Sequence, residues 1–153
     1  MISDDVFRSH LQATIAALRY WVPTIADAAH IEQTEDHDFW KLAVTPNVRG
    51  PCPFELMLRA DQHFDIMIAG ETYEDQPIIS LAVFVPLVQA IASGRVVQRR
   101  TESLATGAEL ALETRVDIDD GQLWTARRVL PGGAAIASSH VEIRDRHFLP
   151  YRR

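Results

Sequence analysis

The sequence predicts an α+β domain, with an antiparallel sheet of about six strands covered by two helices in the order α-βββ-α-βββ(β). Three observations predict it. Apolar residues recur at helical spacing near the N-terminus. Residues 76–94, "QPIISLAVFVPLVQAIASG", form a second apolar run without a charged side chain. Between and after these runs lie short stretches that alternate apolar and polar residues, the pattern of half-buried strands. The connections between those stretches are too short for parallel crossovers, so the strands pair antiparallel.

In the first helix, Ser3 stands at the N-cap position and Asp4 and Asp5 favour the helix dipole. Phe7, Leu11, Ile15, Leu18, Val22, Ile25 and Ala29 then make one stripe at spacings of 4, 4, 3, 4, 3 and 4. Pro23 is expected to kink this helix rather than end it, because the stripe keeps phase beyond it. The stripe suits packing on a sheet, and its 4,3 spacing also suits a coiled-coil-like dimer seam.

Residues 32–38, "EQTEDHD", read as a polar loop. "FWKLAVT" (39–45) is a strand with Trp40, Leu42 and Val44 on one face. "PNVRGPCP" (46–53) is a loop with three prolines and a glycine. "FELMLR" and "FDIMIAG" form a hairpin with Phe54, Leu56, Leu58, Phe64, Ile66 and Ile68 on a shared face. Glu71 to Gln76 extends the strand or forms an acidic rim. A membrane span needs about 20 mostly apolar residues, and the 76–94 run is interrupted by Pro77, Ser80, Pro86, Gln89 and Ser93. It reads instead as a buried helix from about Ile78 to Ala92, capped by Gly94 and kinked at Pro86 unless it starts near Phe84.

"RVVQRRTES" (95–103), "ELALETRVDI" (109–118) and "QLWTARRVL" (122–130) are strands, with a turn at "DDG". A break at "PGG" (131–133) precedes a weaker strand from Ala134 to Arg144. The element order suggests two αβββ halves. The chain of 153 residues fits one domain, with 145–153 expected as a frayed basic tail.

The net charge is −6, which argues against a general nucleic-acid binder. Residues 1–80 hold thirteen Asp or Glu against five Lys or Arg, and residues 81–153 hold eight against ten. The two halves can therefore attract each other or a second copy. Cys52 is the only cysteine, so no internal disulfide forms, and between two prolines it reads as a buried, inert thiol. "MISDDVF" lacks the apolar region of a signal peptide, which makes the cytoplasm the expected compartment.

No nucleotide, hydrolase, zinc-protease or redox motif is present, so no cofactor, metal site or catalytic residue is assigned. The polar groups that could build a site are the "EDHD" cluster with His37, then His63, Asp65, and the His140 and Glu142 pair. Glu71, Glu74 and Asp75 make an acidic edge. Arg95, Arg99, Arg100, Arg127 and Arg128 beside Trp124 could form a basic patch.

Over roughly residues 4–130 the element order resembles that of small dimeric secretion chaperones. The resemblance rests on layout and carries no residue. It implies an apolar surface that holds an extended partner peptide. The expected function is a non-enzymatic protein-binding or adaptor module acting as a homodimer, with Leu11, Leu18, Phe84, Leu87 and Ile91 as its interface. The alternative is a small-ligand binder or enzyme with a pocket between sheet and helices.

Overall fold

The computed structural model describes residues 2–119, 121–130 and 140–152. The class is the expected one, with two helices and antiparallel strands throughout. The strands number nine among the described residues and divide into two sheets. Helix α1 (Asp4–Trp21) leads into β1 (Ala29–Glu35), β2 (Phe39–Pro46), β3 (Phe54–Arg59), β4 (His63–Ile68) and β5 (Glu71–Pro77). These five form a meander in sequence order. Helix α2 (Phe84–Ala92) follows, then β6 (Val96–Ser103), β7 (Glu109–Asp119), β8 (Gln122–Val129) and β9 (Val141–His147). The second sheet has the order β8-β7-β6-β9, so β9 returns to the far side of β6. The first half thus holds five strands rather than three.

Pro23 ends α1 instead of kinking it. Proline has no N–H to give the carbonyl four residues back, and the chain tightens into a single 3-10 turn over Val22–Ile25. Ile25 and Ala29 are still buried, but Ala29 is buried as the first residue of β1. The rest of β1 is the polar stretch expected to be a loop. It is an edge strand, registered from Ala29 opposite Pro46 to Glu35 opposite Trp40. Only Asp36, His37 and Asp38 remain as a turn.

The β3–β4 hairpin has the expected inward face, with Leu56 opposite Ile66 and Leu58 opposite Phe64. Ala69 and Gly70, with φ of 56° and 83°, then turn the chain into β5. Two left-handed residues in succession match the twist of a hairpin. Glu71–Pro77 is thus a separate strand, with Tyr73 as its one buried residue.

Helix α2 starts at Phe84, which places Pro86 in its first turn, where a missing N–H costs no helical bond. Before it, the Ala82 N–H donates to Ser80 Oγ at 3.3 Å and caps a short 3-10 turn. The helix ends in a Schellman motif. Gly94 (φ 80°) donates to Ile91 O at 3.1 Å and Arg95 donates to Ala90 O at 3.0 Å. A Cβ on Gly94 would lie 2.6 Å from Pro150 N, so the C-terminal segment also requires a glycine there.

The core is continuous across both sheets. Phe7, Leu11, Ile15 and Leu18 of α1 pack over the inner face of the first sheet, and α2 lies against β7. Tyr73 joins the sheets through its hydroxyl, 3.0 Å from Thr114 Oγ1, and by an edge-to-face contact with Trp124. Arg128 donates two hydrogen bonds to Glu71 at 2.9 and 3.0 Å, and Arg152 reaches Asp27. These pairs join the acidic first half to the basic second half.

The expected frayed tail is instead fastened. Phe148 and Tyr151 are buried. Leu149 N donates to Gly50 O at 3.0 Å, Tyr151 N donates to Ala92 O at 2.9 Å, and the Tyr151 hydroxyl donates to Cys52 O. Two buried aromatic side chains in a short tail outweigh its charges. The break expected at 131–133 and the first part of the strand expected from Ala134 lie outside the described residues. No helix is long and apolar enough to cross a membrane among the described residues.

Candidate functional site

Alternation along β2, β3, β4 and β5 gives the first sheet two unlike faces. The inner face carries Trp40, Leu42, Val44, Leu56, Leu58 and Ile66, all at 1% exposure or less. The outer face carries Lys41, Ala43, Glu55, Met57, Asp65 and Met67, all half-buried, and no helix among the described residues lies across them. Met57 stands between Lys41 and Asp65, and Glu55 stands between Ala43 and Met67. Thr72 and Glu74 continue the face on β5, and Glu32 adjoins Ala43 on β1. Two shallow concavities, of about 200 and 380 Å³, share Met57 and Asp65 in their walls. Lys41 pairs with Glu55 at 2.7 Å.

One end of this sheet gathers the acidic groups that are scattered in the sequence. Phe39 lies opposite Arg59, and Ala60 N donates to Asp38 O at 2.8 Å, so the β1–β2 turn abuts the β3–β4 turn. Arg59 sits among three carboxylates there. Its guanidinium is 2.5 Å from Asp61, 3.3 Å from Asp65 and 3.0 Å from Asp75. Asp65 also accepts the Asp75 N–H at 2.7 Å, which holds Asp75 in the left-handed region at φ 57°. Partial burial alone would raise the Asp61 carboxyl. The Arg59 hydrogen bond and charge, with help from His63, more than offset that and hold it below its ordinary value.

Asp36, His37 and Asp38 bring their ligand atoms within 4.8 Å of one another, all fully exposed on one tight turn. With Trp40 they border a cavity of about 30 Å³. Trp40 Nε1 is buried without a hydrogen-bond partner among the described residues. An indole N–H is a donor only, so it adds nothing to the hold on a cation.

His37, His63 and Asp65 thus share one end of the first sheet. Glu142 lies on β9 of the second sheet, 3.5 Å from Arg144, and His140 just precedes that strand, so neither joins the others. The groove of about 720 Å³ lies between α1 and residues 78–82, and its polar groups include His10, Thr14 and Gln62 but no carboxylate or thiol. Burial pushes the Cys52 thiol up to about 12, an inert state.

The arginine patch is divided. Arg99 and Arg127 flank Glu113 on one face of the second sheet, and Arg100 and Arg128 flank Leu112 on the other. Arg95, Arg99, Arg100 and Arg128 pair with Asp119, Asp145, Glu109 and Glu71. Trp124 packs on Tyr73 rather than beside free arginines. Leu11, Leu18, Phe84, Leu87 and Ile91 are all buried, at 5% exposure or less, so their apolar surface is used within the chain. The pattern that marked them, an apolar helix face, is shared by core helices and interfaces alike.

Sequence spacing alone did not bring out the outer face, because Met57 and Met67 occupy the positions that read as the solvent side. The signal available was that these positions alternate methionine with charge rather than charge with charge. Comparison with family models, with curated proteins and with solved structures yields no match.

Proposed function

We propose that this chain is a non-catalytic protein-binding module whose docking surface is the outer face of the five-stranded sheet. One observation carries the reading. Ala43, Met57 and Met67 are half-buried apolar residues interleaved with Lys41, Glu55 and Asp65 on a broad sheet face that no described helix covers. Methionine is unbranched and polarisable, and it suits surfaces that adapt to a partner. An acid–base pair aimed into a deep pocket would favour an enzyme, and the described histidines and carboxylates are instead exposed or tied into ion pairs.

Two copies do not meet through this surface, because like face on like face sets carboxylates against carboxylates. A homodimer uses the outer face of the second sheet instead. Leu123, Val129 and Ile143 are exposed there, and charges of both signs alternate.

Selection of a displayed random-peptide library on the immobilised protein tests the docking surface. The reading expects enriched peptides whose binding is lost in the double variant Met57→Ser, Met67→Ser and kept in Leu123→Ser. Binders that ignore the methionine changes, or no enrichment, would contradict it.

A further inference from the structure

Resting on the docking surface proposed above, we infer that its partner is a basic amphipathic helix. The face carries four carboxylates, Glu32, Glu55, Asp65 and Glu74, against two cations, Lys41 paired with Glu55 and Arg59 paired with Asp65. Asp61 and Asp75 continue the negative charge past Arg59 at the end of the trough. An acidic peptide or a nucleic-acid backbone is repelled by such a surface, and a cationic side chain is drawn to its margins.

Shape selects the helix. Five strands spaced about 4.8 Å apart span roughly 19 Å, and a helix with its side chains is about 10–12 Å across. One helix therefore covers Met57 and Met67 with Glu55 and Asp65 among them, and sets its flanking residues over Glu32 and Glu74 on the two edge strands. On the other side of the same sheet the chain already buries the apolar stripe of α1 in one core with the inner face. The outer face has methionine and alanine where the inner face has leucine, isoleucine and phenylalanine. It therefore takes a helix with a narrower apolar stripe and more charge, held weakly enough to exchange. With Glu55 paired to Lys41, Asp65 to Arg59 and Glu32 beside His30 at 3.2 Å, Glu74 is the carboxylate most available to a basic partner.

Calorimetric titration of the full chain with two synthetic helical peptides tests this. Both peptides have about four turns and the same leucine stripe, one with lysine and one with glutamate on the flanks. The lysine peptide is expected to bind at least about tenfold tighter than its twin, and to weaken by a similar factor in 0.5 M salt, where the screening length falls to a few ångströms. The double variant Glu55→Lys, Glu74→Lys changes two half-exposed side chains outside the core, and it is expected to reverse the preference.

Equal binding of both peptides, or a preference unmoved by the charge reversal, overturns the basic partner while leaving the docking surface in place. Binding of neither peptide also overturns it, and the methionine dependence of library-selected binders then decides separately whether the surface docks anything.

Discussion

Leu56 and Met57 are neighbours in one strand, yet they stand on opposite sides of the five-stranded sheet in unlike surroundings. Leu56 is fully buried, paired with Leu42 and Ile66, under the stripe of α1. Met57 is half-buried, paired with Lys41 and Asp65, with no described helix above it. A period of two residues sends alternate side chains to the two faces. What each face becomes depends on whether the chain supplies a cover. The inner face received α1 and became core. The outer face receives no helix among the described residues, yet with Met57 and Met67 it is not as polar as a face meant only for water. That difference is the physical basis for placing a docking surface there.

Truncation of the two neighbours probes the contrast most strongly. Leu56→Ala should cost about 2–5 kcal/mol by urea denaturation, through lost burial and the cavity left behind. Met57→Ala should change stability by no more than about 0.5 kcal/mol, the usual scale for surface positions. Equal losses at both positions would mean that the outer face is structural.

A smaller effect is expected from acid. Asp61, held below its ordinary value in the folded chain, stabilises the fold at neutral pH. Its contribution is complete above the ordinary carboxylate range near about 4, and it is lost as pH falls through the lowered folded value. Solvent screening keeps it below about 1 kcal/mol. The difference in urea midpoint between wild type and Asp61→Asn should therefore shrink below about pH 4, and a gap that persists in acid would contradict this origin.

Smallest is Lys41→Ala. Its pair with Glu55, 36% and 32% exposed, is worth about 0.2–1 kcal/mol. Because the change removes one of the two cations on the face and frees Glu55, it should strengthen binding of the lysine peptide. The same titration checks this, and weaker binding would place Lys41 among the contacts.

The legible parts of this fold are those with a strong period. The inward residues of β2, β3 and β4 fall where alternation places them, and so do the paired faces of β6, β7 and β8. The edge strands of the first sheet were not legible. β1 and β5 bury few of their residues, so their patterns, "HIEQTE" and "ETYEDQ", look like loops. Their strand character comes from backbone pairing with a neighbour, which no side-chain period reports. The end of α1 was misread because Ile25 and Ala29 keep helical phase while lying in a 3-10 turn and a strand. The tail was misread because its charges hid Phe148 and Tyr151. The acidic end of the sheet was visible only as three separate clusters, around 36–38, 61–65 and 74–75, and the meander alone brings them together.

The central claim is that the outer face of the first sheet is a docking surface, and the methionines give it a direct readout. The chain has three, Met1, Met57 and Met67, and two of them stand on this face. With ¹³C-methyl methionine, a titration with the lysine peptide should shift or broaden the Met57 and Met67 signals together and leave Met1 unchanged. Binding confirmed by calorimetry with both signals unmoved would place the partner elsewhere on the molecule and contradict the claim.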